Sequence, residues 1–168
     1  MKKIRIEKVT LNIGAGADQA KLEKGVQLLK NITGLNPVKT LTKKRIPEWN
    51  IRPGLPIGCK LTLRKHSARE ILTRLLAAVD NKLKSLQFDE NGNIAFGIKE
   101  YIDIPNAKYD PKIGIMGLQV CITLERPGYR VKKRRVAARK ISHRHVIKKD
   151  EAIDFMRESF KINIVDEE

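Results

Sequence analysis

Apolar and polar residues alternate with a period of two in several stretches of the chain. Val9, Leu11 and Ile13 interleave with Thr10, Asn12 and Gly14, and Ile57, Cys59, Leu61 and Leu63 interleave with Gly58, Lys60, Thr62 and Arg64. Ile94, Phe96 and Ile98 suggest a further strand, and Leu118, Val120, Ile122 and Leu124 alternate with Gln119, Cys121, Thr123 and Glu125. Successive side chains in a strand point to opposite faces, so each run predicts a strand with one apolar and one polar face. Ile4 and Ile6 fall in the opposite parity to Val9, which calls for a bulge near Glu7 or for a first segment outside the main sheet.

Elsewhere the period lengthens to that of a helix. Leu22, Val26, Leu29 and Ile32 recur at three-or-four spacing behind Asp18, a capping residue, and Gly34 supplies a stop. Leu72, Leu75, Leu76, Val79 and Leu83 form the stripe of a second, long helix, with Ser67-Ala68-Arg69-Glu70 read as its capping box. A third helix from about Asp150 to Phe160 would turn Ile153, Met156 and Phe160 inward and begin with acids, as the helix dipole prefers. Between these elements, Val38 to Thr42 has extended character and Asp89-Glu90-Asn91-Gly92-Asn93 is a turn. Pro47, Pro53, Gly54 and Pro56 mark a loop expected to project rather than pack, and Pro105, Pro111 and Gly114 an irregular excursion around Tyr109.

Half-apolar strands with enough helices to cover them predict an α+β fold: a mostly antiparallel sheet with helices packed on one face. Residues 1–168 read as one domain with a basic loop at 43–56, a basic arm at 126–149 and an acidic C-terminal helix at 150–168. The uncovered face would present Thr10, Asn12, Lys60, Thr62 and Arg64, plus whichever of Lys39 and Thr40 faces outward. Hydroxyls, an amide and cations on a rigid platform suit phosphate and sugar oxygens.

Charge sharpens this expectation. The chain of 168 residues carries 35 Lys and Arg against 19 Asp and Glu, a net charge of +16. Eleven of the basic residues lie between Arg126 and Lys149, a segment without one acid, and the tail from Asp150 reverses the sign. Such density needs a polyanion against it. Nucleic acid fits better than a membrane surface, because the arm has too few large apolar residues to line the opposite side of an amphipathic helix. No apolar run approaches a membrane span and Lys2, Lys3 and Arg5 occupy the start, so the chain is expected to be soluble and intracellular. Cys59 and Cys121 stand far apart and read as small buried residues rather than metal ligands.

Catalytic and cofactor readings do not hold together. Gly14-Ala15-Gly16-Ala17 lies between a strand and a helix, but a third fingerprint glycine would fall at Gln19 and no Walker lysine follows. His143 and His145 sit among cations that oppose metal binding, and they read with His66 as RNA contacts or solvated side chains. No enzyme, metal or cofactor is expected. Four Phe, three Tyr and one Trp are too few for a base-stacking platform, which favours a folded RNA gripped by its backbone. Trp49 is the exception, either tucked under its loop as an anchor or presented to a partner.

The stretch from Lys44-Arg45-Ile46-Pro47-Glu48-Trp49 to Lys60-Leu61-Thr62-Leu63-Arg64 resembles the large ribosomal subunit protein five family, which binds 5S ribosomal RNA. Val9-Thr10-Leu11-Asn12-Ile13-Gly14-Ala15-Gly16, the block from Phe88 to Glu100, and Gly117-Leu118-Gln119-Val120 agree in order, so the likeness spans the chain. Glu125-Arg126-Pro127-Gly128-Tyr129-Arg130 with its basic arm is similar to the archaeal and eukaryotic branch, and the short amino terminus to the archaeal form. Trp49, Pro53 and Leu55 depart from the residues usual in the family's loop.

The resemblance implies a cytoplasmic, ribosome-bound protein of the central protuberance, beside neighbouring ribosomal proteins, that holds 5S rRNA and large-subunit rRNA. Together with the charge pattern it nominates Asn12, Lys39, Thr40, Lys43, Lys60, Thr62 and Arg64, with Arg130, Lys132, Lys133, Arg134 and Arg135 of the arm, as rRNA-binding residues. It implies that Lys44, Arg45, Trp49 and Arg52 reach toward P-site tRNA. It also implies that the region from Tyr109 to Gly117 bridges to small-subunit ribosomal protein thirteen.

Overall fold

The structure, a computed structural model, describes residues 1–165. Five strands form one antiparallel sheet: β1 (Arg5–Gly14), β2 (Val38–Leu41), β3 (Pro56–Leu63), β5 (Ile94–Ile98) and β6 (Leu118–Glu125), in the order β2-β3-β1-β6-β5. The remaining strands, β4 (Lys82–Lys84) and β7 (Asn163–Val165), pair in parallel as a separate small sheet. The helices are α1 (Gln19–Thr33), α2 (Lys65–Ala77), the single turn α3 (Arg130–Lys133) and α4 (Lys149–Phe160).

The alternation seen in the sequence is the alternation of burial. Val9, Leu11 and Ile13 of β1, Cys59, Leu61 and Leu63 of β3, and the apolar set of β5 and β6 face the helices as one core. The fold is therefore α+β with an open, polar sheet face. The parity break in β1 is a bulge: Ile6 pairs with Leu124 and Lys8 with Thr123, which leaves Glu7 unpaired between them. α1 starts and stops as its residues dictate. The Asp18 side chain accepts from the Lys21 amide at 3.1 Å, and Gly34, in the left-handed region at φ 71°, donates to Lys30 at 2.7 Å.

Several expectations are corrected. α2 begins at Lys65, directly off β3, so Ser67 lies inside the helix and caps nothing; Glu70 pairs with His66 at 3.5 Å instead. The same helix ends at Ala77, because Asp80 and Asn81 both turn left-handed at φ 54°. Leu83, expected on its stripe, is buried from β4. The C-terminal helix stops at Phe160, where Lys161 turns left-handed and donates to Arg157 at 3.0 Å; the chain then forms β7. Residues 166–168 of the expected acidic helix lie outside the described residues. Cys59 is buried, and burial pushes its thiol pKa up, but Cys121 is exposed on the open sheet face with Gln119 and Thr123.

Prolines 47, 53 and 56 do not keep the whole loop from packing. Ile46 and Ile51 exchange backbone hydrogen bonds of 2.9 and 3.0 Å, and Ile51 is only 4% exposed. Thr42 closes the base, its amide donating to Leu55 at 2.9 Å and its carbonyl accepting from Gly54 at 2.9 Å. The excursion of residues 101–117 is likewise pinned, with Ile104, Ile113 and Met116 in the core and the Tyr101 hydroxyl accepting from the Asp110 amide at 2.9 Å.

Candidate nucleic-acid interface

Register brings the open face together. Antiparallel pairing sets Thr62 opposite Thr10 and Lys60 opposite Asn12, and on the other flank Asn12 faces Gln119, with its Nδ2 donating to Gln119 Oε1 at 3.3 Å. Residues directly opposite one another share a face. Thr40 lies across from Gly58, on the side of Lys60, whereas Lys39 lies across from the buried Cys59 and so belongs to the helix side. Thr40, half-buried, is the one of that pair on the open face, and Lys39 is exposed on the other side of this edge strand. Lys43 is exposed just beyond β2. The middle of this face, from Thr10 and Asn12 across to Lys60, Thr62, Gln119 and Thr123, holds no acid, and Glu125 at the far end of β6 is paired with Arg5 at 2.7 Å.

Lys44, Arg45 and Arg52 are exposed on the loop, and Trp49 stands at its tip, 65% exposed, in the short turn Pro47–Trp49 that Asn50 ends in a left-handed conformation. The indole is therefore presented, not tucked beneath the loop. Ile51, two residues on, serves as the anchor.

The arm divides into cations that hold the protein and cations that face solvent. Arg126 is 6% exposed; its Nη2 donates to Glu151 Oε1 at 2.7 Å, and its Nη1 to the His145 carbonyl at 3.4 Å. The Tyr129 hydroxyl donates to the His145 carbonyl at 3.2 Å and accepts from the Ile147 amide at 3.1 Å. Lys133 pairs with Glu7 and lies 3.8 Å from Glu125, while Arg64 reaches Glu7 from the other side at 3.4 Å. Arg134 donates through Nε to the Ala137 carbonyl at 2.8 Å. Arg130, Lys132 and Arg135 are exposed and make no salt bridge among the described residues.

Electrostatics confirm which acids are committed. Burial alone would raise the Glu7 pKa, but the Lys133 hydrogen bond and charge, with Arg64 and Lys8, outweigh it and hold the carboxyl below its ordinary value. Glu151 is also held low, first by the hydrogen bond from the Lys148 amide, against a burial effect, and then by Arg126. Sequence reading missed Glu7 and Glu125 because it assigned the acids to the tail. It missed Gln119, Cys121 and Thr123 as neighbours of Asn12 because strand order is not written in any local pattern.

In the glycine turn the amides of Ala15 and Gly16 are already taken. Ala15 and Gly16 both donate to the Ile57 carbonyl, at 2.9 and 3.0 Å, so the turn closes β1 onto β3. No group of His, Cys, Asp and Glu among the described residues could hold a metal ion, and no described helix is long and apolar enough to cross a membrane.

Comparison with known proteins is consistent across the chain. Residues 1–52 match the family model for ribosomal protein L5, and residues 56–155 match the model for the C-terminus of the same ribosomal family. A protein of Nanoarchaeum equitans, large ribosomal subunit protein uL5, is 52% identical over 166 residues, 98% of each chain. The proteins of the same name from Sulfurisphaera tokodaii and Sulfolobus acidocaldarius are 48% and 46% identical, covering 99% of this chain and 94% and 93% of their own.

Proposed function

The chain belongs to the ribosomal protein L5 family, structural proteins of the large ribosomal subunit rather than enzymes, and from that premise we propose how its surfaces divide the work of holding RNA. The open sheet face seats 5S rRNA. The arm, through Arg130, Lys132 and Arg135, binds large-subunit rRNA. The loop at 43–56 offers Lys44, Arg45, Trp49 and Arg52 to P-site tRNA. All three belong to one RNA-binding domain working in the cytoplasm as part of the ribosome, in the central protuberance beside other ribosomal proteins. Exposed Tyr109 and Ile115, on an excursion whose base is fixed in the core, suit contact with small-subunit ribosomal protein thirteen.

The observation that carries this reading is the acid-free middle of the open face, on which Asn12, Lys60 and Thr62 are set side by side by strand register. A flat array of this kind hydrogen-bonds phosphate and sugar oxygens without demanding a base sequence. Lys60→Ala with Thr62→Ala should weaken binding to transcribed 5S rRNA about tenfold, the value of one or two charge-assisted hydrogen bonds, and leave the fold intact because both side chains are exposed. Gel-shift titration beside circular dichroism reads both. Unchanged affinity would mean that the RNA lies on another face.

Two of the residues nominated from sequence are tied up by protein partners. Lys133 is held by Glu7, and Arg134 spends its Nε on the Ala137 carbonyl while its terminal nitrogens make no hydrogen bond among the described residues. Arg64 is half committed in the same way, through its longer contact to Glu7.

A further inference from the structure

At one end of the open face the arm crosses in front of the sheet and leaves a groove of about 870 Å³ between them. Lys8 and Thr123, register partners on β1 and β6, line the sheet side, while Lys132, Arg139, Lys140 and His143 line the arm side. The groove's one acid, Glu7, is already taken by Lys133 and Arg64. Lys132, Arg139 and Lys140 form no salt bridge among the described residues. Cations without acidic partners thus line both walls of the slot, an arrangement suited to an anion between them.

The walls are not only cationic. Tyr129, Ile141 and Val146 form an apolar side, and the Tyr129 ring is held rigid because its hydroxyl already serves both the His145 carbonyl and the Ile147 amide. Asn91 and Asn93 close the end, their Nδ2 groups bound to Asp89 at 3.4 and 3.2 Å. An inorganic anion has no use for an apolar wall, and a run of Asp and Glu carries no flat ring to lay on it. A nucleotide has both a phosphate and a flat base. A cavity of this size encloses small ligands, so it admits one or two nucleotides at a time and not a duplex.

We propose that this slot is a second RNA site, one that takes a single unpaired strand continuing from the RNA seated on the open face. Phosphates pass between Lys8 on the sheet and Arg139 and Lys140 on the arm, while a base rests against Tyr129 and Ile141. The inference rests on the RNA-binding reading above and adds to it a place where strands must separate, which the sheet platform does not require.

The test uses the whole chain and a labelled oligouridylate of about eight nucleotides, within the ~4–16-nucleotide range of single-strand sites. The native chain should bind it more tightly than an oligoglutamate of the same charge. Lys8→Gln with Lys140→Gln should weaken the oligouridylate about tenfold. The slope of log affinity against log salt should flatten by ~1.4, the share of two phosphates on a single strand. Arg139→Gln with Lys140→Gln, both exposed and confined to the arm, gives the same reading should the Lys8 change disturb β1. Native-like affinity in both variants, or an oligoglutamate that competes as well as the oligouridylate, overturns the proposal. If the variants keep the oligouridylate while Lys60→Ala with Thr62→Ala loses 5S rRNA, the slot is wrong and the platform stands. If the native chain holds the oligouridylate through Lys8 and Lys140 yet ignores 5S rRNA, the slot stands and the functional reading falls.

Discussion

Glu7 shows how one residue decides what the surrounding cations can do. The bulge leaves it without a strand partner and lets its carboxylate meet Lys133 from the arm and Arg64 from the start of α2. An acid in the middle of a basic surface would repel phosphate, yet here it is consumed in fixing the arm. The pH consequence follows from the direction of its shift and that of Glu151, both lowered. A carboxyl with a depressed folded pKa contributes stability that is fully present above its unfolded value of ~4.3 and is lost as pH falls through the folded value. The arm should therefore stay docked throughout the neutral range and loosen only below about pH 4, as followed by limited digestion of the arm with an acid protease. In Glu7→Gln with Glu151→Gln this acid step should vanish, and the chain should already be less stable at pH 7 by about 1–3 kcal/mol in thermal denaturation, the range for losing charged hydrogen bonds. A step that persists unchanged in the double variant would show that other groups hold the arm.

The elements divide into those a local pattern can specify and those it cannot. β1, β3, β5 and β6 were legible because alternation and burial are the same fact for a sheet covered on one side. α1 was legible to the residue because Asp18 and Gly34 act on backbone groups within four positions. α2 was not, since the apolar spacing runs on through Val79 to Leu83 and only the left-handed turn at Asp80 and Asn81 separates helix from β4. β4 and β7, three residues each, pair across a separation of about eighty residues, and nothing local marks either one. On the interface, parity told which residues of each strand face outward, but only strand order joins Asn12 to Gln119, and only tertiary contact separates the structural cations Arg126 and Lys133 from exposed ones. The arm's far end depends on a turn. Gly92 has φ 75°, and a Cβ there would sit 2.7 Å from Cγ2 of the fully buried Ile147. Gly92→Ala should cost about 1–3 kcal/mol of stability from strain and overpacking, and should expose the arm to trypsin well below the melting temperature. Equal stability and equal protection would mean that Ile147 can step aside without disturbing the arm.

For the whole molecule, the decisive quantity is how a charge of +16 is distributed. Glu7, Glu125 and Glu151 are spent inside the structure on Lys133, Arg5 and Arg126, so the acids that might blunt the RNA-facing surface are turned toward the protein's own cations. Asp150, Asp154 and Glu158 are exposed on α4, away from the strand positions that form the open face. What remains outward around Lys60, the loop and the arm is predominantly positive, with exposed Glu48 the loop's one acid, and such a surface draws in a polyanion at long range and then binds it by releasing counterions. Engagement of roughly six to ten phosphates should lower affinity for 5S rRNA by about three to five decades between ~50 and ~200 mM salt. Filter-binding or fluorescence titrations at several salt concentrations give the slope directly. A protein recognising bases through hydrogen bonds alone would show a shallow line, and so would one whose cations were all spent on its own acids as Arg126 is. A steep slope in the native chain that falls by about two charges in Lys8→Gln with Lys140→Gln, and by about one in Lys60→Ala with Thr62→Ala, would apportion the ion release between slot and platform. A native slope near zero would dismiss both, since no other property of this surface could then account for so many unpaired cations held in fixed positions.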